Sequence, residues 1–384
     1  MLSMLGILIF LLPLALSSSN SIEVDTVLSA LYSVLLLIFS ILWIMLKGLS
    51  LEKLRPIRYP LVFFTVFLFL AMAFPIGQSQ DLEDISKYAV GLILFILIAP
   101  LSEKEKERLA PEIVLTALLI SFLAIFQYFF GFQLLLNYVR ETRLADSFVL
   151  EKIAERRVFF PFPTPAILGG YLAMILPLTL SPKKKILFLL PLALALLLTK
   201  SLGAFLSLAI VFTAFFLMCA HSRLKKGLAL LALGMILGCL FAVRADNPKQ
   251  HLLPIFSMVS RFNYWKDTWE IIRTHPLTGV GFGNFDLAGS RYAHNSFLQL
   301  WAETGIAPIV SFLWLIATIL KNSWRPSERR LTTGLVAGVC VFLVHNLMDF
   351  SFFLPAVSSI WWIMLGLLYF PASQGEKKHP SEVR

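Results

Sequence analysis

Charged residues are scarce in this chain of 384 residues, in which Asp, Glu, Lys and Arg make up 15% and hydrophobic residues 58%. Soluble domains carry about 25% charged residues, so this composition cannot cover a soluble fold with polar surface. The three cysteines, Cys219, Cys239 and Cys340, lie within apolar runs, which argues against a disulfide scaffold or a zinc framework. The composition predicts a polytopic membrane protein and excludes a soluble enzyme, a secreted disulfide scaffold and a disordered regulator.

Long apolar runs are abundant, and each is close to the length needed to cross a bilayer. They predict an all-α polytopic fold of about twelve transmembrane helices, forming a single membrane domain over residues 1–384. The predicted spans are 2–16, 27–46, 59–76, 88–101, 110–130, 164–180, 186–199, 203–220, 228–243, 305–320, 331–349 and 353–370.

Lys and Arg concentrate in short loops on one side of these spans. The loops 47–58, 102–109, 181–185, 221–226 and 321–330 and the C-terminal tail hold 20 of the 33 basic residues. The positive-inside rule makes these loops and both termini cytoplasmic. Two long segments, 131–163 and 244–304, then become extracytoplasmic loops, and loops of this length are usually functional. Apart from Asp349 the span interiors hold almost no ionisable residues, which disfavours an ion-coupled transporter.

The loop 244–304 contains one amphipathic segment followed by three alternating glycines. Ser260 is a candidate N-cap for a helix over 261–273, and His275-Pro276 is a stop signal. On this helix Phe262, Trp265, Trp269 and Ile272 recur at helical spacing, which predicts an interfacial helix. The glycines that follow, Gly279, Gly281 and Gly283, fit either a tight turn or a backbone that offers N–H groups to an anion.

Basic residues also accumulate in the two long loops, against the positive-inside tendency. The first loop ends with Arg156-Arg157 and a proline-broken run, and the second holds Arg261, Arg291 and His294. Arginine forms bidentate contacts with phosphate groups. The outer placement of these residues therefore indicates an anionic substrate presented from the outer side.

At these residues the chain resembles the O-antigen ligase and polymerase family, membrane glycosyltransferases that use polyprenyl-pyrophosphate-linked glycans. The resemblance is carried by four stretches. They are Arg157-Val-Phe-Phe-Pro-Phe-Pro-Thr-Pro with Gly169-Gly170-Tyr171, the run from Arg261 and Trp265 through Gly279-Val-Gly281-Phe-Gly283 to Ala293-His294-Asn295, His345-Asn-Leu-Met-Asp349-Phe, and Thr199-Lys200-Ser201-Leu202-Gly203-Ala204. Gly305 falls where the family pattern of His, an amide or hydroxyl residue, nine residues and Gly requires it.

The resemblance implies a glycosyltransferase C-like fold in the bacterial inner membrane, with the active site facing the periplasm. The implied donor is an undecaprenyl-pyrophosphate-linked glycan and the implied acceptor a hydroxyl of the lipid A core. Membrane lipids are the remaining partners, with no nucleic acid, and neither a metal nor another cofactor is expected. His294 is the implied general base, and Asn295, His345 and Asp349 support it. Arg157, Arg261 and Arg291 are the implied pyrophosphate ligands, with Lys200 as the fourth because Leu202 stands where the family usually has Arg.

Several alternatives stay open at this point. His345 and Asp349, four residues apart, are either a buried structural pair or the base itself. A divalent metal could replace the arginines, and its candidate ligands are Glu23, Asp25, Asp81, Glu83 and Asp84. A polymerase that joins lipid-linked repeats, and a transporter of lipid-linked glycan, are the alternative functions to a ligase.

Overall fold

The computed structural model describes residues 1–16, 23–48, 50–73, 82–142, 150, 153–180, 185–219, 222–245, 253–287, 290–323 and 330–370. Helices dominate these ranges, and the β-structure within them is an isolated bridge between Leu287 and Ser290. The α-helices are α1 Leu2–Ala15, α2 Glu23–Lys47, α3 Arg58–Ala73, α4 Leu82–Ile98, α5 Glu103–Phe126, α6 Phe132–Thr142, α7 Pro165–Ile175, α8 Lys185–Thr199, α9 Leu202–Cys219, α10 Arg223–Ala245, α11 Leu253–Thr274, α12 Ser296–Thr304, α13 Ile306–Ser323, α14 Arg330–His345 and α15 Pro355–Leu368. The described part of the chain therefore has the predicted all-helical fold.

The apolar helices occupy the predicted spans. In the described ranges four helices are long and apolar enough to cross a membrane, namely Leu51–Ala73, Glu103–Glu141, Leu202–Cys219 and Ile306–Ser323. Seven shorter apolar helices accompany them: Leu2–Ala15, Leu31–Lys47, Tyr88–Ile98, Pro165–Leu180, Leu187–Thr199, Leu331–His345 and Pro355–Leu368. These helices fit a membrane protein, while the number of spans and the sidedness of the loops stay predictions.

Helix α5 is longer than the predicted span 110–130. It begins after Ser102, where Glu105 completes a capping box by accepting hydrogen bonds from the Ser102 backbone N–H and hydroxyl. At its other end a π-helical turn, Gln127–Gly131, leads without a break into α6. Segment 131–163 therefore begins as helix, because α6 continues directly from the span.

Two helix ends differ from the sequence expectations. Helix α11 begins at Leu253, so the prediction of Ser260 as N-cap is wrong; Pro254, which is tolerated in a first turn, starts the helix earlier. Helix α14 ends at His345, so the predicted span to 349 is too long. Beyond that end the Asp349 carboxylate accepts a hydrogen bond from the Phe350 N–H at 2.6 Å, and this local bond favours a turn over helix.

Helix α15 lies at the centre of the packed core. Every residue from Ala356 to Leu368 is buried, including the large side chains of Trp361 and Trp362. Helix α4 packs closely on it because Gly91 leaves room for the Trp362 indole, and a Cβ at Gly91 would come within 2.0 Å of that ring. Helix α14 packs on α15 and on α7 and α9, so the end of α14 is held by the core where the functional residues meet.

Candidate functional site

The spacing between His294 and Gly305 corresponds to one short helix. Asn295 is the N-cap of α12, and its side-chain oxygen accepts hydrogen bonds from the N–H groups of Phe297 and Leu298, both at 3.1 Å. The nine residues of Ser296–Thr304 form the helix, and Gly305 ends it with φ +81°. A Cβ at Gly305 would lie 2.0 Å from the Leu277 carbonyl oxygen, so this position needs glycine.

The glycine segment forms a tight turn against the end of α12. Gly279, Gly281 and Gly283 all have positive φ, and a Cβ at Gly279 would approach the Glu303 carbonyl to 2.4 Å. The N–H groups of Gly279, Val280 and Gly281 donate to the carbonyls of His275, Ala302 and Glu303. These three N–H groups are therefore used inside the protein, which favours the turn over the anion-binding alternative.

His294 lies on a strained backbone inside an aromatic pocket. It is not a glycine, yet its φ is +52°. Its ring stacks on Tyr264 at 5.7 Å between centroids and meets Phe350 edge-on at 4.9 Å, while the Trp265 indole donates to the His294 carbonyl at 3.4 Å. Burial lowers the pKa of His294; the Asp349 carboxylate acts in the opposite direction and the Arg261 charge lowers it further. The lowered pKa favours the neutral imidazole, the form that accepts a proton.

The end of α14 brings His345 and Asp349 to the same place. His345 Nε2 lies 3.1 Å from Asp349 Oδ2, and both side chains are buried, so the two residues form a buried pair although Asp349 is beyond the helix. His345 packs against Gly170 and Gly203, where a Cβ at Gly170 would come within 2.4 Å of its ring.

Asn346 joins this end of α14 to the start of α12. The Ser296 hydroxyl donates to Asn346 Oδ1 at 2.7 Å, and the Ser296 N–H donates to the Asn346 carbonyl at 2.9 Å. The Ser296 hydroxyl also lies 3.1 Å from the Asp349 carbonyl oxygen. The stretch containing His294 and the stretch containing His345 and Asp349 are therefore held together by direct hydrogen bonds.

Arg157 and Lys200 lie on two turns that are joined by hydrogen bonds. Arg157 Nε donates to the Thr199 carbonyl at 3.0 Å, and Lys200 Nζ donates to the Glu155 carbonyl at 2.9 Å. A Glu155 carboxylate oxygen lies 3.7 Å from an Arg157 terminal nitrogen. Burial lowers the pKa of Arg157, which Glu155 opposes and Arg261 reinforces, and the guanidinium stays protonated throughout the working range of pH.

Arg261 is electrostatically coupled to two of these groups. Its charge acts on both Arg157 and His294, and its Nε is buried with no hydrogen-bond partner among the residues that the structure describes. Arg291 is exposed on the His294 loop, and its place in the cluster stays a prediction. Within the described ranges the non-glycine residues with positive φ are Arg156, Lys200 and His294, so the unusual backbone is concentrated around this site.

The predicted apolar stripe of α11 is only partly buried. Ile272 is buried and Trp265 half-buried, whereas Phe262 and Trp269 are exposed. The helix does end at Thr274, as His275-Pro276 predicted. Exposed aromatic side chains on such a helix are compatible with a membrane interface.

The five candidate metal ligands lie outside the residues whose side chains the structure describes. They are Glu23, Asp25, Asp81, Glu83 and Asp84. Across the described part of the chain no group of three or more His, Cys, Asp or Glu side chains is arranged to hold a metal ion.

Sequence reasoning missed several residues of this site. Gln127, at the π-turn, accepts hydrogen bonds from the N–H groups of Phe159 and Phe160 and thereby fixes the loop that carries Arg157. A polar residue within an apolar run was the available signal. Tyr264 and Phe350, which line the His294 ring, carry no such signal because aromatic residues are common throughout the chain.

One region of the chain matches the model of a known protein family. Residues 187–313 match the family model described as O-antigen ligase (Wzy_C), a range that contains Lys200, Arg261, Arg291, His294 and Gly305. The match confirms the resemblance drawn from the motifs. No curated protein matches the chain.

Proposed function

Because residues 187–313 match the O-antigen ligase family, we propose that the chain is an O-antigen ligase of the bacterial inner membrane. In this proposal it transfers a glycan from undecaprenyl pyrophosphate to a hydroxyl of the lipid A core. The reaction takes place on the periplasmic side, where segments 131–163 and 244–304 form the outer loops. No metal takes part, since fixed cations accompany the motif histidine.

His294 is the proposed general base. It takes the proton from the acceptor hydroxyl as the acceptor oxygen attacks the anomeric carbon of the glycan. The bond between that carbon and the phosphate oxygen breaks, and the polyprenyl pyrophosphate leaves with the electron pair. The proton on His294 then passes to solvent or to the released phosphate, which restores the neutral imidazole.

Fixed cations stabilise the leaving group. Arg157 and Arg261 supply guanidinium forks, Lys200 supplies a point charge, and Arg291 approaches from the exposed side of the loop. Asn295 holds the turn, and the pair formed by His345 and Asp349 supports it from the core. Asp349 also stabilises the imidazolium that forms when His294 is protonated.

The observation that carries the proposal is the environment of His294. A half-buried imidazole with a lowered pKa, on a strained turn, lies within electrostatic range of a buried carboxylate and of Arg261, whose buried Nε has no hydrogen-bond partner in the described part of the chain. A base and an anion-binding cation side by side are the two groups that this transfer requires.

The test is transfer by the purified protein in liposomes. Donor lipid and lipid A core are added together, and glycosylated core is the expected product. Lengthened donor without glycosylated core would identify the polymerase instead, and the absence of any covalent product would favour the transporter. His294→Ala should lose the product, whereas His275→Ala, which changes a histidine on the same segment outside the site, should retain it.

A further inference from the structure

A buried chain of hydrogen bonds connects α4 to the backbone beside His294. The Tyr88 hydroxyl donates to Glu303 Oε2 at 2.8 Å, and Gln299 Nε2 donates to Glu303 Oε1 at 2.7 Å. The other end of the Gln299 amide accepts a hydrogen bond from the Ala293 N–H at 3.0 Å. Tyr88, Glu303 and Gln299 thus link the core to the residue that precedes His294.

The direction of these hydrogen bonds is fixed by chemistry. A backbone N–H only donates, and a side-chain amide donates from its nitrogen and accepts on its oxygen. The Gln299 amide must therefore direct its oxygen to the Ala293 N–H and its nitrogen to Glu303, whose two oxygens accept from Gln299 and Tyr88. All three members are buried, and a buried polar group left without a partner is costly, so the arrangement resists reversal.

The chain of bonds acts where the backbone needs support. A non-glycine residue at φ +52° is strained, and such a turn persists only when its surroundings hold it. Asn295, which follows His294, is fixed as the N-cap of α12. Ala293, which precedes His294, is fixed by the hydrogen bond from its N–H to Gln299. Glu303 also accepts the Gly281 N–H on its backbone carbonyl, so the same helix end orders the glycine turn.

We propose that Gln299, Glu303 and Tyr88 are positioning residues that hold His294 in the geometry for proton transfer. The role in transfer rests on the proposed function of His294, whereas the positioning itself does not. None of the three touches the reacting atoms; they act through the Ala293 backbone.

A swap of the two side chains on α12 tests the proposal. Gln299→Glu places a second carboxylate against Glu303, and Glu303→Gln leaves one acceptor oxygen facing two donors, the Gln299 amide and the Tyr88 hydroxyl. The double variant Q299E/E303Q can restore all three hydrogen bonds described above. In it the carboxylate introduced at position 299 would accept from the Ala293 N–H and from the amide nitrogen introduced at position 303, and the oxygen of that new amide would accept from Tyr88. The double variant also keeps the net charge.

The first readout is steady-state transfer. Each single variant should lower kcat about 10- to 100-fold with little change in KM, because a displacement of about 1 Å costs about that much. The double variant should return to within about threefold of wild type. Tyr88→Phe, which keeps the ring against Phe282 and removes one hydrogen bond, should lower kcat less and is a milder variant if a single α12 variant fails to fold.

The second readout needs no activity. Modification of His294 by diethyl pyrocarbonate, measured by peptide mass spectrometry and normalised to His275, should be faster in the single variants and return to the wild-type rate in the double variant. Gln133→Glu is the control, since Gln133 and Asn137 form an exposed pair at the same spacing on α6. Its kcat and its His294 modification should equal those of wild type.

The outcomes separate the two levels of the proposal. The wild type could transfer no glycan while the double variant still returns His294 modification to the wild-type rate. That result would support the positioning and refute the proposed function. Folded single variants with wild-type kcat and wild-type modification would overturn the positioning. A double variant that folds but stays as impaired as the singles would overturn it as well.

Discussion

Replacing His345 with Ala should destabilise the protein much more than it impairs the chemistry, and replacing His294 should do the reverse. His345 is 2% exposed and pairs with Asp349 at 3.1 Å. Removing one partner of a buried hydrogen-bonded pair leaves the other unsatisfied, which costs about 1–3 kcal/mol and more when the remaining group is charged. Asp349 keeps hydrogen bonds from the Phe350 N–H and the Ser351 hydroxyl, so we expect a loss of about 2–3 kcal/mol.

His294 differs from His345 because it is half-buried and lies in a loop. Its replacement by Ala should change the free energy of unfolding by less than about 1 kcal/mol, while a lost general base lowers kcat about 10²- to 10⁴-fold. Unfolding in detergent gives the first quantity, and transfer assayed well below the unfolding temperature gives the second. A folded, inactive His345→Ala together with an active His294→Ala would refute the assignment and move the base to the end of α14.

Four further predictions concern charge, metal and topology. Asp349 raises the pKa of His294, so Asp349→Asn should lower that pKa and move the acidic limb of kcat/KM to lower pH; a shift to higher pH would contradict the coupling. Arg261→Ala should raise KM about tenfold and lower kcat as well, since an arginine on pyrophosphate acts in the substrate complex and more strongly in the transition state, with Arg261→Lys intermediate; unchanged KM and kcat would remove it from the site. Transfer should survive exhaustive chelation, and a loss restored by magnesium or manganese would instead indicate a metal enzyme. Cysteines introduced at Asp146 and Asp246, both outside the described residues, should react with an impermeant reagent once the outer membrane is permeabilised; reaction only after lysis of the inner membrane would reverse the topology.

The sequence predicted those features that depend on local patterns. Apolar runs marked the helices, Pro276 marked the end of α11, and the spacing from His294 to Gly305 marked a unit that the structure identifies as a capped helix. Each of these signals lies within about one helix of the feature that it predicts. Helix ends were less accurate where a side chain bonds locally, as Asp349 does beyond α14.

The contacts between distant segments could not be predicted in this way. Tyr88 and Glu303 are 215 residues apart, and nothing in the α4 sequence distinguishes a tyrosine that bonds a carboxylate from one that packs. Asn346 stood inside a recognised stretch, yet its bonds to Ser296 depend on how α14 meets α12. Such contacts follow from the packing of the helices, which a single sequence does not specify residue by residue.

The departure at Leu202 becomes intelligible through these long-range contacts. The turn before α9 holds Lys200 at φ +50° and binds the Glu155 carbonyl, while Arg157 binds the Thr199 carbonyl from the opposite turn. Each turn thereby presents its cation at the junction with the other turn. A lysine cannot reproduce a guanidinium fork, so in the proposed site Arg157 and Arg261 supply the bidentate contacts. In this proposal Lys200 adds a charge that needs no fixed orientation and stands in for the Arg that the family usually has at position 202.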